Sequence, residues 1–147
     1  MLINRLKIDD EHITIGHEST ITELAQELAK KGISDAVVLD SDGLVLGCID
    51  DYDIVSKVIA EEKDPKIIQV KDVMSSPPRI HPESEISIAF EIMQKLEINT
   101  IPVVDNKIKL VGVVTLMDIL EVASFKDDSD SSIFRRIRSF FKSRGNA

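Results

Sequence analysis

Apolar residues fall at Ile21, Leu24, Ala25 and Leu28 within "STITELAQELAKKG", the stripe of an amphipathic helix. Thr20 and Glu23 form a capping-box pair at its start, and Gly32 supplies a C-terminal stop. The period then changes. "AVVLDSDGLVLGCI" holds two β-rich runs around Ser41-Asp42-Gly43 and predicts a hairpin, and "DYDIVSKVIAEE" predicts a second helix. The same succession returns further along. Ile86, Ala89, Phe90 and Met93 take the helical positions, "IPVVDNKIKLVGVV" turns at Asn106-Lys107, and "LMDILEVAS" closes the series.

The recurrence is a tandem duplication. Residues 13–55 align with 78–120 at a constant offset of 65 without a gap, with 11 identities in 43 positions. Roughly three would be expected from ordinary composition. Each copy reads β-α-β-β-α, and at roughly fifty residues it is too small to bury a robust core alone. The expected fold is therefore α/β (α+β), with two repeats packed through their sheets and an amphipathic helix at the C-terminus. The expected boundaries are 1–62 for the N-terminal segment and first repeat, 63–72 for a charged connector broken at Pro65, 73–124 for the second repeat, and 125–147 for an acidic spacer and basic helix.

Composition narrows the function classes. The net charge of −8 is uneven: residues 1–125 carry 12 Lys+Arg against 23 Asp+Glu, net −11, while residues 126–147 carry 6 against 3, net +3. An acidic body argues against nucleic-acid binding over most of the surface. Cys48, the single cysteine, sits in the apolar run "LVLGCI" and reads as a buried inert thiol. His12, His17 and His81 lack metal-ligand spacing. There is no paired nucleophile and base and no glycine-rich phosphate loop, so an enzyme is not expected. No apolar run reaches the ~18–20 residues of a membrane span, and the N-terminus lacks a secretory apolar stretch, so a cytoplasmic protein is expected.

Candidate chemistry lies where the last strand of each repeat enters its second helix, at "GCIDDYD" (47–53) and "GVVTLMD" (112–118). Gly47 and Gly112 permit close approach of backbone or ligand. Thr115 falls at a helix N-cap with Asp118 three residues on. The N–H groups and dipole there favour an anion, a hydroxyl can bind phosphate oxygen, and a carboxylate can hold the two hydroxyls of a ribose. The same spacing also describes a self-contained capping box, for Thr115 with Asp118 and for Asp50 with Asp53.

"KDVMSSPPRIHPESEISIAFEIMQKLEINTIPVVDNKIKLVGVVTLMDIL" closely resembles a cystathionine-β-synthase (CBS) domain, and residues 13–62 look like a more divergent copy. The resemblance spans about 110 residues and rests on "DVMS", "NTIPVVD" and "GVVTLMDIL". It implies a regulatory pair that binds an adenosine ligand, of the AMP, ADP, ATP or S-adenosylmethionine type, between its repeats, with no required cofactor. It also implies a homodimer, commonly a flat disc of four repeats. Carried onto this chain, it implies that Asp118 holds ribose hydroxyls and that Thr115 binds ribose or phosphate. Thr100, Ile101 and Pro102 would line the adenine pocket, Ile80 would cover its other face, and Arg79 would reach phosphate.

The first repeat departs from that pattern. Asp53 keeps the ribose-type carboxylate, but Asp50 replaces the hydroxyl, and Asp35-Ala36-Val37 replaces Thr-Ile-Pro. A carboxylate ~4 Å from a phosphate charge repels it by ~4 kcal/mol at an effective dielectric of 20, more than a few hydrogen bonds return. The second site is therefore expected to be the working nucleotide site. The first is expected to be empty, selective for a neutral adenosyl compound, or dependent on a cation. Asp50, Asp51 and Asp53 could cluster on Mg²⁺, but they read first as routine complements of a helix dipole, and a bound Mg²⁺ is not expected. In the tail, Ile133, Phe134, Ile137, Phe140 and Phe141 share one helical face amid arginines and Lys142. Residues 132–144 can pack on the module or its copy, dock a partner protein, or lie on an anionic membrane; a nucleic-acid role is disfavoured.

Overall fold

The computed structural model describes residues 1–125 together with Arg135 and Ser139. The basic face expected over 132–144 otherwise lies outside the described residues. The first repeat runs β1 (Thr14–Gly16), α1 (Ile21–Lys31), β2 (Asp35–Leu39), β3 (Val45–Asp50) and α2 (Asp51–Ile54), which continues as a wider π turn over Val55–Ile59. The second runs α3 (Ile86–Leu96), β4 (Thr100–Val104), β5 (Leu110–Thr115) and α4 (Leu116–Phe125). β2 pairs with β3 antiparallel and with β1 parallel, and β4 pairs with β5 antiparallel.

Local chemistry fixes these limits. The Thr20 hydroxyl accepts from the Glu23 N–H at 3.2 Å, and the Glu23 carboxylate accepts from the Thr20 N–H at 3.3 Å. Gly32 then ends α1 with a left-handed φ of 65°. Both hairpins turn on an aspartate that recurs in the duplication. The Asp40 carboxylate accepts from the N–H groups of Asp42 and Leu44, and Asp105 does the same for Lys107 and Lys109. Those two backbone bonds hold the Asp105 carboxyl below the usual carboxylate range.

The copies also differ. The strand expected to open the second repeat is reduced to one parallel bridge, Ile80 to Val103. Pro77 and Pro78 precede it and Pro82 follows, and proline cannot donate to a ladder. Where the first repeat has Gly32 and Gly43 in left-handed backbone, the second has Glu97 (φ 56°) and Ile108 (φ 63°), conformations that L-side chains resist.

Each repeat's core is closed by a segment leading into the other. Ile21, Leu24, Val38, Ile49 and Val58 of the first repeat enclose Val70 from the connector and Val73 from the start of the second repeat. Phe90, Ile101, Val103, Val114 and Ile119 of the second enclose Ile3, Leu6 and Ile8 from the N-terminus. The two short 3₁₀ turns, Ile3–Arg5 and Val70–Asp72, occupy matching places. Backbone bonds seal both arrangements: Ile3 N–H to Ser84 O and Ile86 N–H to Met1 O on one side, Val70 N–H to Ser19 O and Ile21 N–H to Ile68 O on the other. Between the sheets, Val37 and Val45 meet Val104 and Val113.

The repeated glycines make this crossing possible. The Val113 N–H donates to Ile8 O at 2.9 Å, and a Cβ on Gly112 would collide with that same carbonyl. Cys48 and Ser75 exchange two backbone bonds, and a Cβ on Gly47 would strike Ser75 O. Of the two reasons for a glycine here, close approach of backbone is the one realised. Gly112→Ala should therefore lower the unfolding free energy by about 1–3 kcal/mol, the range for steric overpacking, because carbonyl backbone cannot swing aside as a flexible side chain can. Urea unfolding followed by circular dichroism measures it, and an unchanged midpoint would show that Ile8 is not held against β5.

Candidate functional site

The two strand-to-helix turns carry the candidate residues, and both are closed capping boxes. In the second repeat, Asp118 N–H donates to Thr115 Oγ1 at 3.2 Å. Thr115 gives its N–H (2.7 Å) and its hydroxyl proton (2.8 Å) to the same oxygen, Asp118 Oδ2. A hydroxyl has one proton and two acceptor sites, so Thr115 retains capacity to accept but has no proton left for a phosphate oxygen. Asp118 Oδ1 takes no part in the cap and has acceptor capacity for a ligand hydroxyl.

In the first repeat, Asp53 N–H donates to Asp50 Oδ1 at 2.7 Å, and Asp50 N–H donates to Asp53 Oδ2 at 3.0 Å. The cap is the same, built from two carboxylates. Partial burial raises the Asp50 carboxyl above its ordinary value; the Asp53 N–H pulls it down, and the Asp53 and Asp51 charges push it up again. A further contact separates this turn from its twin. Lys57 Nζ lies 2.8 Å from Asp53 Oδ1 and donates to Val73 O at 3.2 Å. Both oxygens of Asp53 are thus engaged. The position matching Lys57 in the second repeat is Val122.

Strand register places the other candidates. Thr100 lies opposite Thr115, Ile101 opposite Val114 and Pro102 opposite Val113. Ile80 joins them by donating to Pro102 O at 3.1 Å. Ile80 and Ile101 are buried in the second core, so Ile101 offers a ligand its backbone rather than its side chain. Arg79 is exposed. In the first repeat Asp35 lies opposite Asp50 and Ala36 opposite Ile49, with Ala36 buried in the core.

A cleft of about 240 Å³ runs between the repeats. Asp35, Cys48, Asp50, Asp51 and Asp53 line one side, Ser75 and Pro77 come from the lead-in of the second repeat, and Glu97 to Thr100 form the opposing wall. Thr100, expected beside the second turn, therefore also faces the first. Five carboxylates border the cleft. Burial first, then the Asp35, Asp50 and Asp53 charges, push the Cys48 thiol up to about 12, so it stays protonated at neutral pH and is a poor nucleophile. Among the described residues no group of three His, Cys, Asp or Glu side chains is arranged to hold a metal ion. Nor is any described helix long and apolar enough to cross a membrane.

Glu97 of the cleft wall, and Lys57, which reaches the cleft's Asp53 from the next helical turn, are not among the candidates the motif names. The Asp53–Lys57 spacing of i, i+4 is a visible helical pairing signal, but it falls beyond the seven-residue motif. Glu97 gives no sequence signal; it reaches the cleft because α3 ends there in left-handed backbone.

Known proteins agree with this architecture. The chain is 32% identical over 114 residues to an uncharacterized protein of Methanopyrus kandleri, covering 77% of this chain and 58% of that protein. It is 35% identical over 128 residues to an uncharacterized protein of Methanocaldococcus jannaschii, covering 84% and 42%. The chain thus spans about half the length of these curated relatives. A solved CBS domain pair in complex with 5′-methylthioadenosine and S-adenosyl-L-methionine superposes with a TM-score of 0.74 at 27% identity, covering 86% of this chain and 98% of that one. A CBS domain protein from Pyrobaculum aerophilum complexed with AMP shares the fold at TM-score 0.73 and 24% identity, covering 84% and 99%. The CBS domain pattern matches twice, at residues 7–60 and 70–124, and the chain belongs to the CBS domain family as a tandem pair.

Proposed function

We propose that the chain is a regulatory module that binds an adenosine ligand at the β5–α4 turn of its second repeat and controls a partner protein in the cytoplasm. The observation that carries this reading is Asp118, whose Oδ2 closes the helix cap while Oδ1 keeps acceptor capacity for ribose hydroxyls. Thr115 accepts from ribose without disturbing the cap. Phosphate falls to the helix start and to Arg79, and Ile80, Thr100, Pro102 and the Ile101 backbone border the adenine. The solved pair holding 5′-methylthioadenosine and S-adenosyl-L-methionine supports an adenosyl ligand. Regulation then follows from differential affinity, because ligand bound at the seam favours one arrangement of the repeats over another. No cofactor and no catalysis enter this account.

A homodimer is part of the same reading. Tyr52, Val55 and Ile59 are 71%, 55% and 56% exposed, and Met117, which matches Tyr52 in the duplication, is 70% exposed. Apolar side chains in corresponding places on both repeats suit a partner with the same pseudo-symmetry, which a second copy provides. Residues 132–144 are assigned to a partner protein. The alternative, a structural dimer module with decayed sites, draws on Asp53, both of whose oxygens are engaged.

Calorimetry with AMP should give one equivalent per chain. Asp118→Ala should weaken it by at least about tenfold, equivalent to ~1.4 kcal/mol, while Asp53→Ala stays within about twofold of the wild type. If neither AMP nor S-adenosylmethionine binds at millimolar concentration, the sensor reading fails in favour of the structural one. Separately, Val55→Asp should convert a dimer to a monomer in light scattering, and an unchanged mass would remove the α2 face from the interface.

A further inference from the structure

The duplication placed the same carboxylate in two turns, and the structure treats the two differently. We infer that Lys57 is the residue that decides which of the two turns accepts a ligand: its ammonium occupies Asp53 and withholds the first cleft from the ribose hydroxyls of an adenosine compound. This rests on the reading of the second turn as an adenosine site and extends it to the first.

Three observations carry it. Lys57 Nζ sits 2.8 Å from Asp53 Oδ1, while Oδ2 accepts from the Asp50 N–H, so each oxygen already carries one bond from within the chain and neither is left wholly to a ligand, as Asp118 Oδ1 is. The ammonium is also anchored from the far side by the Val73 carbonyl at 3.2 Å. Val73 belongs to the segment that closes the first core, so the exposed lysine is tied at its ammonium to packed structure. Finally, the matching residue of the second repeat is Val122, which has no donor, and there Asp118 Oδ1 is left out of the cap.

A charged N–H donor holds a carboxylate more strongly than a neutral hydroxyl does. Ribose hydroxyls reaching the first turn must compete with the lysine for Asp53 Oδ1. Asp50 is a separate barrier, directed at phosphate. The two differences therefore act on different parts of a nucleotide, Lys57 against the ribose and Asp50 against the phosphate. Removing the lysine alone should open the cleft to adenosine and leave it closed to AMP.

The test uses the full chain and adenosine and AMP as probes, with calorimetric stoichiometry as the readout. Lys57→Val, which installs the residue of the second repeat, should raise adenosine binding from one equivalent to two, with AMP remaining at one. Lys57→Val with Asp118→Ala should keep one equivalent of adenosine, and adding Asp53→Asn should abolish it. Lys57→Gln, which keeps a neutral donor for the Val73 carbonyl, guards against loss of folding and should also admit the second equivalent. If Lys57 is only a helical ion pair, both variants will lower the unfolding midpoint without adding an equivalent, and the inference is overturned. The Asp118→Ala background separates the two claims. Adenosine retained there only when Lys57 is replaced supports the lysine's role even if the second-site reading fails, and adenosine absent from that double variant overturns it even if the second-site reading holds.

Discussion

The docking of a leading segment against a strand glycine is the constraint on which this molecule depends. Ile8 lies on Gly112 and Ser75 on Gly47, each through backbone that tolerates no Cβ. Because the segment on each repeat comes from the approach to the other, neither core is complete without both halves of the chain. The sheets are drawn face to face through Val37, Val45, Val104 and Val113. The strand-to-helix turns then arrive at the seam, where a ligand bound by one repeat would touch the other. A cleft bordered by Asp50 and Asp53 from one repeat and by Glu97 and Thr100 from its neighbour is a consequence of that crossing.

Within this frame the two turns solve one local problem with different atoms. A helix start needs acceptors for its first N–H groups, and both Thr115 and Asp50 supply one. The cap therefore cannot explain why the residues differ. What differs is the charge left over. Thr115 leaves Asp118 as the only carboxylate of its box, with one oxygen outside it. Asp50 doubles the negative charge, and Lys57 answers it at Asp53. An i, i+4 ion pair on a surface helix contributes little to stability, about 0.3–0.5 kcal/mol. Its consequence lies in which hydrogen-bond positions remain for a ligand.

Much of this was legible in the sequence where the cause is local. Thr20 with Glu23, Gly32 and the turns at Ser41-Asp42-Gly43 and Asn106-Lys107 each act locally, and the helix and both hairpins follow from them, although the Asp40 and Asp105 carboxylates that hold those turns were not singled out. The candidate turns were legible because duplication exposes what two copies share. The crossing was not, because its contacts join segments far beyond local range, Cys48 with Ser75 on one side and Ile8 with Val113 on the other, and its internal match runs at an offset of 67 rather than 65: Ile3 answers Val70, and Leu6 answers Val73. The shortened strand at Ile80 was hidden by the duplication itself, which carried the expectation of a full strand across the prolines at 77, 78 and 82. Lys57 stood one helical turn past the motif, so comparison of "GCIDDYD" with "GVVTLMD" ended before reaching it.

The central claim is that the two turns, both closed by a reciprocal cap, are unequal as ligand sites. Hydrogen exchange read by mass spectrometry, with and without AMP, addresses it directly because each turn reports on itself within one molecule. The account predicts that AMP slows exchange over 100–102 and 112–118 and leaves 47–53 unchanged. Equal protection of both turns, or protection of 47–53 alone, would contradict it.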